Sequence, residues 1–201
     1  MARYSDKQKA ALEALMRDHV YTHAMAIIED EGLSCLTMER LAQQIGVSRG
    51  TIYNYFADRD AVLDYLEDRT FQPLLEETER IAASDASPDA KLAAIIEWVL
   101  RSIDEDRALV MAVIPAEREG VRACKKAERQ RQVQNAVERV IREGVEQGVF
   151  APLESAVVVQ TFLGAISGLI DAMALSGEFL PPDRTIPVVT QILVGGISND
   201  R

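Results

Sequence analysis

The stretch that decides the fold is GVSRGTIYNYF, residues 46–56. It holds two glycines, three β-branched residues and three aromatic residues, so helix propensity alone does not favour a helix here. Gly46 is suited to end a preceding helix in the left-handed conformation, and Ser48 is suited to cap the next one. With that start, Ile52 and Phe56 are four residues apart on one inner face, where Val47 can pack against Ile52. The stretch therefore predicts a short helix that tertiary packing holds in place.

The opposite face of this short helix carries small and hydrogen-bonding side chains. A glycine-containing turn between two helices, with such a face on the second, is typical of a helix-turn-helix that enters the major groove of DNA. Arg49 can form two hydrogen bonds with guanine, Asn54 can pair with adenine, and the Thr51 methyl can contact thymine. Gly50 would let the helix approach the groove closely, and the Tyr53 hydroxyl can bind a phosphate. An ordinary helical hairpin with half-buried tyrosines is the alternative.

Residues 37–56, TMERLAQQIGVSRGTIYNYF, with ADRDAVL after them, resemble the helix-turn-helix signature of the tetracycline-repressor (TetR) family of prokaryotic transcriptional regulators. The detailed match covers about residues 14–74. The resemblance implies a DNA-facing surface, in which Arg59 takes the place of a lysine common in the family and keeps a phosphate partner. Glu39 is an acid near the expected DNA backbone, where it can favour the helix N-terminal dipole. The predicted DNA-binding residues are Thr37, Ser48, Arg49, Gly50, Thr51, Tyr53, Asn54, Tyr55 and Arg59.

Apolar residues recur along the whole chain at steps of three and four, which predicts an all-α protein. We expect an N-terminal helix-turn-helix domain over residues 1–74 and a larger helical ligand-binding and dimerisation domain over residues 75–201. Two of the later helices are expected near 154–175 and 185–197. The buried stripe predicted for the first helix comprises Leu12, Leu15, Met16, Val20, Ala24, Ile27 and Ile28.

A repressor of this kind needs a dimer, because one short helix reads few base pairs. The four-residue spacing of Gly164, Gly168 and Ala172 permits close approach of two helices, although packing within one chain would fit the same pattern. The last helix would complete the interface. The predicted dimerisation residues are Gly164, Gly168, Ala172, Val188 and Ile192.

The family resemblance implies a small-molecule cavity among the middle helices. Its candidate lining residues are apolar, and each fits an ordinary core position equally well or better. Arg118 and Asp171 could orient a ligand, or lie at the surface or in an interface. The candidate lining residues are Trp98, Met111, Ile114 and Phe162.

Pro73 falls within the predicted fourth helix, where it lacks an amide proton. We expect it to interrupt and kink that helix. A hypothesis follows that the kink couples ligand binding to release of DNA.

The net charge of −10 argues against a broad nucleic-acid surface, and residues 1–60 hold seven Lys/Arg against nine Asp/Glu. DNA binding should therefore depend on few contacts. No secretion signal or membrane span is expected, and two cysteines far apart in sequence are consistent with the cytoplasm. We expect no bound cofactor and no enzymatic activity. The only pair of residues with a spacing typical of metal ligands, His19 and His23, lacks further ligands, and the sequence has no catalytic motif. A helical protein-interaction module without specific DNA binding is the alternative function.

Overall fold

The computed structural model describes residues 6–108, 110 and 121–199, and its regular elements are helices. An isolated antiparallel bridge joins Phe150 to Ser198. The predicted all-α class is confirmed. The described helices are α1 (Asp6–Glu31), a 3-10 turn (Leu33–Cys35), α2 (Met38–Ile45), α3 (Arg49–Tyr53), α4 (Arg59–Ala82), α5 (Pro88–Glu105), α6 (Val121–Glu146), α7 (Ser155–Ser176), α8 (Pro182–Leu193) and a 3-10 turn (Gly195–Ile197).

The chain forms two compact units, Met1–Thr70 and Phe71–Arg201. The assignment of DNA binding to an N-terminal domain (1–74) and ligand binding to the remainder (75–201) stays a prediction. The first unit has a small core that draws on α1, α2, α3 and the start of α4. Its fully buried side chains include Val20, Ile27, Leu36, Leu41, Ile52 and Leu66.

The predicted stripe of α1 is wrong in its N-terminal half. Leu12 and Leu15 are 47% and 55% exposed, and the buried positions begin at Val20. Length explains this difference: α1 has 26 residues and is about 39 Å long, whereas the eight residues of α2 extend about 12 Å. The short helices of this unit cover only the C-terminal half of α1.

Helix α4 continues through Pro73 to Ala82, so the proline does not end the helix, and the kink expected there stays a prediction. A proline inside a helix costs about 3 kcal/mol. Buried residues on both sides offset that cost, among them Leu66 before the proline and Ile81 after it. A role of Pro73 in coupling stays a prediction.

The second unit packs its helices around one continuous apolar core. Leu92, Ile95 and Ile96 of α5 are fully buried in it, with Val137 of α6 and Phe162 of α7. Helix α8 starts at Pro182, earlier than predicted, because proline fits the first position of a helix. It ends at Leu193 instead of continuing to residue 197, and two glycines follow.

A partly buried ion pair and a glycine contact join elements of this core. Lys91 is only 4% exposed, and its Nζ lies 2.8 Å from Oε2 of Glu143, whose carboxylate is 36% exposed. This hydrogen bond holds the pKa of Glu143 below its usual value. One residue further along α6, the ring of Phe150 lies directly over the Cα of Gly144.

Candidate DNA-binding surface and effector cavity

The turn between α2 and α3 is built by the caps that the sequence predicts. The Oγ1 of Thr37 accepts a hydrogen bond from the Arg40 amide at 3.0 Å and so begins α2. Gly46 ends α2 with φ of 82°, in the left-handed region. The Oγ of Ser48 accepts from the Thr51 amide at 3.1 Å and begins α3. Local sequence therefore sets the position at which each helix starts and stops.

The two faces of α3 differ in burial as predicted. Ile52 is fully buried and Phe56, just after the helix, is 3% exposed. Tyr53 is 44% exposed, and Arg49, Gly50 and Asn54 are also exposed. Thr51 and Tyr55 are half-buried at the edge of this face, and Thr37 and Ser48 are exposed at the helix starts. The structure thus leaves the side chains of the predicted reading face open to a partner, and their contact with DNA stays a prediction.

Arg49 is not a free cation on this face. Its Nη2 lies 2.6 Å from Oε1 of Glu39, which is in the first turn of α2. Interaction with Tyr53 and then the charge of Glu39 raise the pKa of Arg49. The sequence suggested only a helix-dipole role for Glu39. Its pairing with Arg49 was missed because the two residues lie on different helices.

Arg59 forms hydrogen bonds with backbone carbonyl groups of its own chain. Its Nε donates to the carbonyl of Leu36 at 2.7 Å and its Nη2 donates to the carbonyl of Leu33 at 2.9 Å. These bonds tie the start of α4 to the 3-10 turn and its end. Nothing in the sequence indicated this use, and the phosphate contact proposed for Arg59 would have to use the remaining donors of its guanidinium.

The second unit contains a cavity of about 390 Å³. Phe162, a predicted lining residue, faces it, and so does Asp171. Trp98 does not line it; this side chain packs partly buried against the core instead. Met111 and Ile114 lie outside the described residues, as does Arg118. Most of the lining is apolar: Phe71, Leu74, Leu75, Ile95, Val99, Ile103, Val110, Val133, Phe162, Leu163, Ile166 and Ile170.

The polar groups of the cavity come from two helices. Arg129 and Gln130 belong to α6, and Ser167 and Asp171 lie one turn apart on α7. The guanidinium carbon of Arg129 lies 4.4 Å from the centre of the Phe71 ring, which is within cation–π distance. The sequence did not single out Arg129, because its spacing on α6 is that of an ordinary surface residue.

The predicted dimerisation residues all lie at the surface of the second unit. Gly164, Gly168 and Ala172 form an exposed strip on α7, and Val188 and Ile192 on α8 are 57% and 65% exposed. By length and composition alone, α7 could also cross a membrane. Its other face, however, is packed into the core of the second unit. The further exposed apolar residues of α7 and its flanks are Leu153, Val157, Leu175 and Leu180.

The two histidines of α1 lie side by side. Their ring centroids are 6.3 Å apart and the rings meet edge to face. Within residues 6–108, 110 and 121–199, no group of three or more His, Cys, Asp or Glu side chains could hold a metal ion.

Comparison with known families gives two matches along the chain. Residues 21–66 match the family described as "Bacterial regulatory proteins, tetR family". Residues 85–193, more than half of the chain, match "Tetracyclin repressor-like, C-terminal domain". The two matched segments lie on either side of the break at residue 70, and the first contains the whole helix-turn-helix.

Individual proteins are similar to part of the chain in sequence or to its fold. The chain is 34% identical over 91 residues to HTH-type transcriptional regulator BetI 2 of Chromohalobacter salexigens, an alignment that covers 44% of each chain. The chain thus spans less than half the length of that relative. Its fold is similar to FadR of Bacillus subtilis in complex with stearoyl-CoA, with a TM-score of 0.74, 22% identity, and coverage of 89% of this chain and 98% of that one. A TetR/AcrR-family regulator from Thermobifida fusca also has a TM-score of 0.74, with 21% identity and coverage of 90% and 97%.

Proposed function

We propose that this chain, which belongs to the TetR family of bacterial regulatory proteins, is a repressor that binds a palindromic operator as a homodimer and leaves it when a small molecule binds. Members of the family are transcriptional regulators and not enzymes, so we propose no catalysis. The observation that carries the proposal is the division of α3 into a buried face with Ile52 and an exposed face with Arg49, Tyr53 and Asn54. The proposed site of action is the cytoplasm, without a membrane.

The dimer is supported by the exposed apolar surface of α7 and α8. A helix of five residues such as α3 can contact only a few base pairs, and a two-fold partner doubles the number read. Ile192 and Val188 are each more than half exposed. An apolar surface beside a glycine strip fits the self-complementary contact of a two-fold dimer.

The effector is proposed to bind in the cavity of the second unit. Among the described residues that line it, twelve of sixteen are apolar, which favours a ligand with a substantial apolar body. Arg129 at the wall could bind an anionic end, since a guanidinium recognises carboxylates and phosphates. The stearoyl-CoA complex of FadR makes fatty acyl-CoA the first probe to test.

A gel shift with the intergenic DNA upstream of the gene tests DNA binding. We expect the wild-type chain to shift this DNA specifically. The shift should disappear when stearoyl-CoA, or whichever compound is the effector, is added. Replacing both Arg49 and Tyr53 by alanine should abolish the specific shift and leave the dimer intact, because both side chains are exposed and contribute little to folding. Absence of any shift at low salt, with and without probes, would refute the DNA-binding proposal.

A cavity variant separates the effector step from DNA binding. Ser167→Leu would fill part of the cavity with an apolar side chain. Its matched control is Ser102→Leu on α5, because Ser102 does not line the cavity. We expect Ser167→Leu to bind DNA normally but to respond weakly to the effector. Equal responses from both variants would show that the effector does not use this cavity.

A further inference from the structure

Every arginine of segment 37–59 has an intramolecular partner, and the segment contains no lysine. Arg40 pairs with Glu31, at 2.5 Å between Nη2 and Oε1. Arg49 pairs with Glu39, and Arg59 donates to two backbone carbonyls. Each arginine of this segment therefore already has some of its donors engaged before DNA binds.

The pair of Arg49 and Glu39 is the one that joins α2 to α3 across the turn. Its two side chains are 58% and 55% exposed. A pair this exposed adds little to folding stability in water, because solvent screens the attraction. Its main consequence is the direction in which the guanidinium of Arg49 points.

A guanidinium has five N–H donors, so Arg49 can keep Glu39 and still bind a further acceptor. One Nη group faces the carboxylate of Glu39. The remaining donors are free to form a fork with O6 and N7 of a guanine. A phosphate contact, in contrast, would bring a second anion close to Glu39, and two like charges repel.

We propose that Glu39 is a specificity-determining residue that orients Arg49 toward a base edge and disfavours binding of Arg49 to the DNA backbone alone. This inference rests on the proposed function, in which α3 reads DNA. Glu39 would act through Arg49 and need not touch DNA itself. Loss of its charge should then raise affinity for all DNA while lowering discrimination between sequences.

The test compares Glu39→Gln with a matched control, Glu31→Gln. Both substitutions are nearly isosteric and remove one carboxylate from an arginine of the first unit, but Arg40, the partner of Glu31, lies outside α3. The wild-type full-length chain first selects a binding site from a pool of duplexes with a randomised centre. Affinities for the selected duplex and for mixed-sequence duplex DNA are then measured over a range of salt concentrations.

For Glu39→Gln we expect tighter binding to mixed-sequence DNA. The slope of log affinity against log salt concentration should become steeper by about 0.9, the value for about one additional phosphate contact. The ratio of specific to non-specific affinity should fall about tenfold, the effect of about one base contact. A repeated selection with this variant should show weaker preference at one position of each half-site. Glu31→Gln should leave the ratio unchanged.

An unchanged or higher ratio for Glu39→Gln, or the same loss in both variants, would overturn the inference and leave the proposed function intact. If the wild-type chain enriches no sequence at all, the proposed DNA binding itself fails, and the inference fails with it. Circular dichroism of both variants confirms that they fold before binding is compared.

Discussion

Gly50 allows the reading of DNA by α3 to be separated from the stability of the fold. Gly50 is the second residue of α3, with Ser48 as its cap. A Cβ at this position would meet only the Oγ of Ser48, at 3.8 Å, which is ordinary van der Waals contact. Among the described residues, the positive-φ glycines do not include Gly50. The chain alone therefore does not require glycine here, and the proposed reason is close approach to DNA.

The substitution Gly50→Ala should have opposite effects on stability and on DNA binding. Replacing a helical glycine by alanine stabilises by about 0.5–1 kcal/mol where the new methyl group fits. On DNA the same methyl would be forced against the groove wall, and inserting a methyl group into a close-packed contact costs about 1–3 kcal/mol. At 1.4 kcal/mol per tenfold change, operator affinity should fall by about 5- to 150-fold.

Two measurements check this prediction. Urea denaturation gives the free energy of unfolding, and fluorescence anisotropy with labelled duplex gives the affinity. Gly196→Ala is the control, because a Cβ there would meet nothing within 4 Å and the residue lies in the 3-10 turn of the second unit, outside the predicted dimerisation residues. Wild-type affinity in a Gly50→Ala variant of equal or greater stability would refute the argument that α3 approaches DNA closely at Gly50.

Three further predictions concern the second unit. Gly144→Ala should lower the free energy of unfolding by about 1–2 kcal/mol, since its Cβ would overlap the Phe150 ring and overpacking outweighs the gain in helix propensity. Glu143→Gln should cost about 1–2 kcal/mol at neutral pH, because it weakens the charged hydrogen bond to the buried Lys91. Since the folded-state pKa of Glu143 is lowered, the wild type should lose this contribution as the pH falls below about 4.5, and the variant should not. Gly168→Ala should raise the dimer dissociation constant about tenfold in sedimentation equilibrium, because an added methyl in the close contact between the two subunits costs about 1–3 kcal/mol. The substitution should not destabilise the subunit itself.

Each of these predictions has an outcome that contradicts it. Chemical denaturation of Gly144→Ala at or above wild-type stability would mean that the Phe150 ring moves aside without cost. Glu138→Gln is the control for Glu143, because Glu138 forms an exposed pair with Arg142 and should change stability by less than about 0.5 kcal/mol. Equal effects of the two glutamate substitutions would rule out a special role for the buried pair. An unchanged dimer in Gly168→Ala would place the interface elsewhere.

The sequence alone determined the local features of the DNA-binding segment. Thr37 and Ser48 cap their helices, and Gly46 stops α2, because each effect needs only residues within one turn. The sequence also predicted the inner face of α3, because Ile52 and Phe56 follow helical spacing. The same reasoning placed Phe162 in a buried position of α7 but could not say which core residues border empty space.

Only the tertiary structure decided which distant groups meet. The partners of Arg49 and Arg59 lie on other elements, so no periodicity could reveal them. The length of α1 relative to its neighbours left Leu15 exposed although it lies on the apolar stripe. The place of Arg129 beside a cavity, likewise, depends on the packing of α6 against the rest of its unit. Sequence patterns act over a few residues, whereas ion pairs, cavities and exposed faces depend on where whole helices are placed.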